Sequence, residues 1–290
     1  MRALKPDELT ALFERARTLS QQQHTWAEAD RVWGEVIDAY RAALRSSGPV
    51  NRRDQQQLAR ALWRRGMLAA ARGDLTASTT LGQEAVVAFA EIHDAVRREE
   101  PSATDPRRDE ALAEMIVALL DLGESAFAAG QPATRLALIG RALEVGLHTA
   151  GPPPGAGPKT REAMGTAYHN HANALVHRAL TGDPTGDDAR EAALAASRAA
   201  ELRQALADPS RPLSMWELAN TYAVYAQCLA LIGDFDRART VLQLGTELAK
   251  LLGPAGVEIV AKLRVAADMV QLRQPEAAEG ERRRWGWRRR

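Results

Sequence analysis

Apolar residues recur every three to four positions along almost the whole chain, and this spacing constrains the fold more than any other feature of the sequence. Side chains repeated at that interval share one face of an α-helix, whereas a half-buried strand requires strict alternation. Alanine, the best helix former, dominates the 46% hydrophobic fraction, and aromatic residues make up only 5% of the chain. The sequence therefore predicts an all-α protein.

Short breaks divide this pattern into eleven predicted helices. Proline or aspartate stands at several of the predicted starts, and glycine stands at four breaks, where a left-handed residue terminates a helix. These glycines are Gly73, Gly130, Gly233 and Gly253. The predicted helices span residues 7–22, 26–46, 52–72, 75–97, 107–129, 132–148, 159–180, 187–207, 212–232, 235–252 and 255–273.

Two segments are predicted to be loops because they combine proline with glycine or with charged residues. They are residues 99–106 and residues 151–158, and the second is long and proline-rich enough to mark a joint between two halves of the chain. Near the C-terminus the helical spacing disappears. We predict one helical domain over residues 1–274, with the joint near 151–158, and a disordered tail over residues 275–290.

The charge of the chain is unevenly distributed. The formal net charge is +1, but six of the 38 basic residues are arginines within the last nine positions. Without these six, 32 basic residues stand against 37 acidic ones, so residues 1–281 carry a net charge of −5. The arginines flank two tryptophans, and the tail residues are Arg282, Arg283, Arg284, Trp285, Trp287, Arg288, Arg289 and Arg290. The sequence thus joins a mildly acidic body to a cationic tail.

The cationic tail suggests several kinds of attachment. Arginine binds phosphate while tryptophan stacks on bases, so single-stranded nucleic acid is one candidate partner. The same side chains suit an anionic membrane surface. A third hypothesis is a short motif that another protein recognises or modifies, and a fourth is a terminus without a role. The tail sequence leaves these alternatives open.

The sequence also excludes several classes of protein. Cys228 is the lone cysteine, so an intramolecular disulfide and a cysteine-based zinc site are excluded. No run of about 18 apolar residues is present, and such a run would be needed to predict a membrane-spanning helix. The N-terminal segment is charged throughout rather than signal-like. We expect a cytoplasmic protein.

A recurring pattern relates four of the predicted helices. In each, a large residue is followed four positions later by glycine or alanine. The small residue allows a neighbouring helix to approach closely, and the large one fills the space beside it. The pairs are Leu62 and Gly66, Leu119 and Gly123, Tyr168 and Ala172, and Tyr222 and Ala226.

The regions around these pairs resemble the tetratricopeptide repeat (TPR) family. The segment YHNHANAL at 168–175 is similar to the family's first-helix signature, and GDFDRA at 233–238 is similar to its inter-helix turn and second-helix start. Gly73, Asp74 and Leu75 repeat that turn. An N-terminal repeat with Phe13 on its first helix would begin its second helix with Trp26, Ala29 and Trp33.

The resemblance implies a fold class, although the sequence differs from the family's repeat pattern at some points. It implies a right-handed superhelical solenoid of about five antiparallel helix pairs over residues 7–252, closed by a capping helix at 255–273. Equivalent positions lie about fifty residues apart rather than the family's usual 34, which predicts longer helices and connections. Arg135 stands where the second-helix alanine is expected. An irregular helical bundle without true repeats is the alternative.

Three groups of residues suggest chemistry, and a structural role is favoured for each. The stretch GPPPGAGPKT at 151–160 has proline where a phosphate-binding loop needs glycine N–H groups. His169 and His177 lie about 12 Å apart along a helix, too far to share a metal ion, and His171 points to another face. A buried, inert thiol is expected for Cys228. We therefore predict no catalytic residues, no metal and no cofactor.

The TPR resemblance implies that the first helix of each pair lines a concave groove that holds a peptide or partner helix. Apolar anchors and amide groups that can pair with a partner backbone are both predicted there. The predicted groove residues are Arg60, Trp63, Met67, Glu124, Phe127, His169, Asn173, His177, Asn220 and Gln227, with Glu14, Thr18 and Gln21 on the first helix. The leading function is a non-enzymatic scaffold, adaptor or regulator that recognises another protein. The sequence does not specify that partner or the oligomeric state.

Overall fold

A computed structural model describes residues 5–46, 51–99, 102, 104–150, 155–182 and 187–273. This part of the chain contains eleven α-helices, two short 3-10 turns and no strand. The helices are α1 Pro6–Leu19, α2 Trp26–Ser46, α3 Arg52–Ala71, α4 Leu75–Glu99, α5 Pro106–Ala128, α6 Pro132–Ala150, α7 Pro158–Thr181, α8 Asp188–Leu206, α9 Pro212–Leu231, α10 Phe235–Leu251 and α11 Val257–Arg273. None of the described helices is long and apolar enough to cross a membrane.

The helical spacing predicted this order of elements, and all eleven predicted helices are confirmed. Two of the differences in helix bounds lie beside the 3-10 turns. Helix α1 ends at Leu19 rather than near 22, ahead of the turn Gln23–Thr25, and α11 begins at Val257 because Gly253–Gly256 forms the second turn. A tighter helical turn has nearly the same apolar spacing as the last turn of an α-helix, so the sequence does not separate them.

Three of the hairpin turns share one backbone conformation. Gly73, Gly130 and Gly233 have φ of 81°, 77° and 82°, in the left-handed region where a Cβ atom is unfavourable. In each turn the residue after the glycine donates its N–H to a carbonyl in the last turn of the preceding helix, at 2.9 Å. This hydrogen bond satisfies a helix-end carbonyl and reverses the chain. The glycines predicted from sequence therefore make the same turn in three hairpins.

Packing around the predicted small and aromatic residues also agrees with the sequence pattern. A Cβ atom added to Gly66 on α3 would lie 3.4 Å from backbone atoms of α4, so the two helices approach closely there. Ala172 and Ala238 are fully buried. Phe13 on α1 meets Trp33 on α2 edge to face, with ring centroids 5.0 Å apart. These contacts join the two helices of a hairpin.

Contacts within the chain define two compact units, residues 1–164 and residues 165–290, and the boundary falls inside α7. The first unit contains α1 to α6 and the beginning of α7, and its core includes Trp33, Phe89 and Ile116. In the second unit α11 packs against α9 and α10 around Ile259, as expected for a closing helix. Of the predicted joint at 151–158, residues 151–154 lie outside the described residues.

Candidate binding surface

In the first unit, side chains of α3 reach directly to α5, although α4 separates these helices in sequence. Arg60 donates from Nε to Glu114 at 2.5 Å and forms an ion pair with Glu110 at 3.1 Å. The indole N–H of Trp63 donates to Asp121 Oδ2 at 2.8 Å. First helices of successive hairpins are therefore neighbours, as the repeat architecture requires.

Helix α5 leaves only one strip of its surface accessible. Between residues 108 and 126 the other positions are buried, whereas every third or fourth residue is partly exposed. The accessible side chains are Glu110, Glu114, Val117, Asp121 and Glu124. Burial raises the pKa of Asp121, the Trp63 hydrogen bond opposes that rise, and Glu124 adds to it. The strip is thus acidic, and it faces the basic side chains of α3.

Two predicted groove residues, Glu124 and Phe127, both contact Arg135 of α6. The guanidinium donates from Nε and a terminal nitrogen to Glu124 Oε1, at 3.0 and 2.7 Å, and lies 4.6 Å from the centre of the Phe127 ring. Arg135 itself is buried. The arginine at the expected alanine position is therefore accommodated because both its charge and its planar face have partners.

A cleft of about 200 Å³ opens between α1, α2 and α3, and we call it the α1–α3 cleft. Its lining residues are Arg17, Ser20, Trp26, Trp33, Arg64, Met67, Leu68 and Ala71. Met67 was predicted as a groove anchor, and its side chain is 46% exposed at this cleft. Arg64 was not among the predicted groove residues, although it lies four residues after the predicted Arg60 on α3.

In the second unit, His169, which was predicted to line the concave groove, is buried. Its Nε2 lies 3.2 Å from the amide nitrogen of Asn220, and its Nδ1 lies 3.3 Å from Thr221 Oγ1. Lys262 of α11 donates to Asn220 Oδ1 at 3.0 Å, which orients the amide nitrogen toward the histidine. These bonds to α9 explain the burial, and the single sequence could not reveal them.

The remaining predicted groove residues of the second unit are accessible. Asn173 and His177 are exposed on α7, and we call them the α7 strip. Asn220 and Gln227 are partly exposed on α9, which is otherwise buried from residue 221 to 230, and we call them the α9 strip. Lys262 also lies 5.2 Å from the centre of the Trp216 ring, beside Asn220. A binding role for these residues stays a prediction. Neither Lys262 on α11 nor Trp216 on α9 was predicted as a groove residue; for Lys262 the reason is that α11 was expected only to cap the solenoid.

The histidines and the cysteine show no arrangement typical of catalysis. His171 lies 3.4 Å from Glu191, and burial lowers the pKa of this histidine, while His177 is exposed nearby on the same helix. Burial raises the pKa of Cys228 to about 12, as expected for an inert thiol. Among the described residues no three side chains of histidine, cysteine, aspartate or glutamate are grouped so that they could hold a metal ion.

The ends of the proline-rich segment are held by two adjacent residues of α5. Arg108 donates to the backbone oxygen of Thr149, at the end of α6, and Asp109 accepts from the backbone N–H groups of Lys159 and Thr160, at 3.0 and 2.8 Å. A cation thus meets a helix C-terminus and an anion meets a helix N-terminus, both favourable. A carboxylate already occupies the N–H groups that a phosphate would need.

Comparisons with known proteins show that the chain shares its fold with solved structures, but they identify no family or curated relative. No protein-family model and no curated protein matches the chain. The crystal structure of BtubC (BKLC) from P. vanneervenii is similar, with a TM-score of 0.58 and 14% sequence identity over 86% of this chain and 84% of that one. A kinesin light chain-like protein with nearly identical TPR-like repeats from Podosopora anserina gives a TM-score of 0.48, with 18% identity over 85% and 97%.

The fold is TPR-like. At these identities the similarity concerns the fold alone, and the resemblance seen at residues 168–175 and 233–238 is confirmed at that level. The TPR-like fold accounts for the helical hairpins, the glycine turns and the neighbouring first helices described above. The predicted tail, Arg282 to Arg290, lies outside the described residues, so its proposed attachment to nucleic acid or membrane stays a prediction.

Proposed function

We propose that this chain is a non-enzymatic scaffold, adaptor or regulator, and that it recognises another protein through the accessible strips of its first helices. The observation that carries the proposal is the surface of α5 and α9. Between residues 108 and 126 of α5, and between residues 218 and 230 of α9, only one strip is accessible. Each strip presents side chains that can bind a partner. In repeat proteins of this type, successive helices of one kind form an extended surface suited to a peptide or a partner helix.

The chemistry of these strips supports recognition of a polypeptide. Asn173, Asn220 and Gln227 carry amide groups that both donate and accept, as a peptide backbone requires. Trp216 and Met67 offer apolar contact beside polar groups, which is the composition of binding hot spots. We infer a peptide segment or a single helix as the bound element. We also propose a cytoplasmic location and binding without a cofactor.

Matched arginine substitutions test this proposal. Asn173→Arg and Gln227→Arg add bulk and charge to the strips of α7 and α9, whereas Gln243→Arg makes the same change on an exposed position of α10. Partners recovered with the full chain are quantified by mass spectrometry for each variant. We expect the two strip variants to lose at least one partner that wild type and Gln243→Arg both retain.

Folding is checked in parallel, because a lost partner is informative only if the variant is folded. All three arginine variants should unfold at nearly the wild-type urea concentration, since surface substitutions change stability by about 0.5 kcal/mol or less. If folded strip variants keep every partner, or if Gln243→Arg loses the same partners, the strips of α7 and α9 are not the binding surface and the proposal fails.

A further inference from the structure

The α1–α3 cleft presents carbon rather than polar atoms along most of its wall. Trp26 donates its indole N–H to the Ser20 backbone oxygen at 3.2 Å, and Trp33 donates its own to the Ser20 hydroxyl at 2.8 Å. The fully buried Trp33 forms the floor, while Trp26 and the exposed Met67 stand at the sides. Methionine adapts to different apolar shapes. The cleft is therefore suited to a bulky apolar side chain.

Arg64 places a positive charge at this apolar wall. Its guanidinium has no carboxylate within 4.0 Å among the described residues, and it lies 5.5 Å from the centre of the Trp63 ring. The nearest cations are already paired, because Arg17 contacts Glu14 at 2.7 Å and Arg60 contacts two carboxylates of α5. Within the described part of the chain, Arg64 therefore forms no ion pair of its own.

The surroundings of Arg64 make that charge costly in the free protein. Burial lowers the pKa of Arg64, and Arg17 and Arg60 lower it further, while Glu14 and Glu114 act in the opposite direction. An arriving anion would relieve this repulsion and replace the water that solvates the guanidinium. The charge of Arg64 therefore favours a ligand with an anionic group, and the adjacent cleft favours an apolar group on the same ligand.

We propose that the α1–α3 cleft binds a short acidic segment of a protein partner, in which a carboxylate pairs with Arg64 and an adjacent bulky apolar side chain enters the cleft. This inference rests on the proposed function and adds the chemical class of the bound segment. The cleft volume of about 200 Å³ is below that of a typical small-molecule site, which fits one side chain rather than a whole metabolite.

A carboxylate fits this site better than a phosphate does. Around Arg64 the charges of Arg17 and Arg60 are balanced by Glu14 and Glu114, so one positive charge remains to be neutralised. A carboxylate carries one negative charge and pairs with a guanidinium through two parallel hydrogen bonds. A phosphate dianion carries more negative charge than this single positive charge can neutralise.

Selection from a random peptide library against the full chain, followed by affinity measurements, tests the inference. We expect recovered peptides to carry aspartate or glutamate next to leucine, phenylalanine, tryptophan or methionine. Measured by fluorescence anisotropy, the affinity of such a peptide should fall about tenfold in Arg64→Gln. Replacing the peptide carboxylate by its amide should lower the affinity for wild type by the same factor. The same replacement should lower the affinity for Arg64→Gln little further, which would show that the carboxylate and Arg64 interact.

Three further variants identify the contact. Arg31→Gln removes an arginine from an exposed position of α2 outside the cleft and should leave the affinity unchanged. Arg64→Lys keeps the charge and should retain more affinity than Arg64→Gln. Met67→Ala should weaken binding of peptides with a bulky apolar residue and should not affect the carboxylate dependence.

The outcomes separate this inference from the function on which it rests. Recovered peptides without acidic residues, or full affinity in Arg64→Gln, overturn the inference and leave peptide recognition standing. Displacement of the peptide by inorganic phosphate or by oligothymidylate would assign the charge to a phosphate ligand and would also overturn it. If the chain selects no peptide and retains no partner dependent on the α7 and α9 strips, both the inference and the proposed function fail.

Discussion

The indole N–H of Trp63 and the carboxylate of Asp121 form a 2.8 Å hydrogen bond that joins α3 directly to α5. Trp63 also contacts Phe89 edge to face, with ring centroids 6.4 Å apart. A residue predicted to bind a partner thus has a defined role inside the first unit. Loss of binding after Trp63→Ala would therefore not distinguish a lost contact from a disturbed surface, which is why the tests above use other positions that are exposed or partly exposed.

Asp121→Asn is expected to leave the protein as stable as wild type, or more stable, at pH 7. The asparagine oxygen still accepts from Trp63, while a partly buried negative charge is removed. Because the folded-state pKa of Asp121 lies above the unfolded value of 3.8, the charge costs stability above the folded pKa and none below 3.8. The advantage of the variant should shrink as the pH falls toward 3.8. Urea unfolding at several pH values measures this difference.

Trp63→Phe is the control for the Asp121 substitution. It removes the hydrogen-bond donor and keeps an aromatic ring near Phe89, so we expect a loss of about 1–2 kcal/mol in the free energy of unfolding. A loss of equal size in Asp121→Asn at pH 7 would show that the carboxylate charge itself stabilises the contact.

Because of His93, we expect the protein to lose stability in mild acid. It is buried on α4, and among the described residues its Nε2 has no hydrogen-bond partner. Burial lowers the pKa of His93 below 6.5, with Asp94 opposing and Arg97 adding to the decrease. The unfolded chain therefore binds a proton first, so stability falls as the pH drops through 6.5 toward the folded pKa.

Replacing His93 by leucine should flatten that pH dependence by up to about 1.4 kcal/mol per pH unit. His171, whose pKa burial also lowers, should account for part of the slope that remains. Ile92→Val, at the neighbouring buried position, should cost about 0.5–1.5 kcal/mol without changing the slope. An unchanged slope in His93→Leu would contradict the assignment.

The same substitution is expected to have opposite effects at two glycines. Gly233→Ala places a Cβ atom on left-handed backbone, with φ of 82°, and should destabilise the protein by about 1–2 kcal/mol. Gly140 lies inside α6, and a Cβ there meets nothing within 4 Å, so Gly140→Ala should stabilise by about 0.5–1 kcal/mol. Thermal and urea unfolding measure both, and two changes of the same sign would contradict the turn geometry.

Asp109→Ala should destabilise the first unit by about 3 kcal/mol. The substitution removes two charge-assisted hydrogen bonds to the start of α7 from a side chain that is almost fully buried. The amides of Lys159 and Thr160 should then exchange with deuterium faster than in wild type. Asp38→Ala, on an exposed position of α2, should change stability by about 0.5 kcal/mol or less.

Local features of the sequence were sufficient to predict the helices and the turns. A helix needs only the spacing of its own apolar residues, and Gly73, Gly130 and Gly233 act through their own backbone conformation. The repeat pattern assigned Phe13 and Trp33 to the two helices of one hairpin, and in the structure the two rings meet edge to face. These features depend on residues within one hairpin.

The parts that were not predicted depend on residues far apart in the chain. His169 is buried because α9 supplies Asn220 and Thr221, and Asp109 is important because the start of α7 returns to it. A single sequence gives no signal for such pairs. Arg64 was also not predicted, because the arrangement of charges around it exists only in the folded protein.

The central claim is that the first helices contact the partner, and site-specific photo-crosslinking tests it most directly. A photoreactive phenylalanine analogue replaces Thr18 on α1 or Asn173 on α7, both exposed on first helices. The matched positions are Arg31 on α2 and Gln243 on α10, both exposed on second helices. After illumination with the recovered partner, covalent adducts are measured by mass spectrometry. We predict adducts from the first-helix positions alone; equal adducts from the second helices, or adducts from the second helices only, would contradict the account.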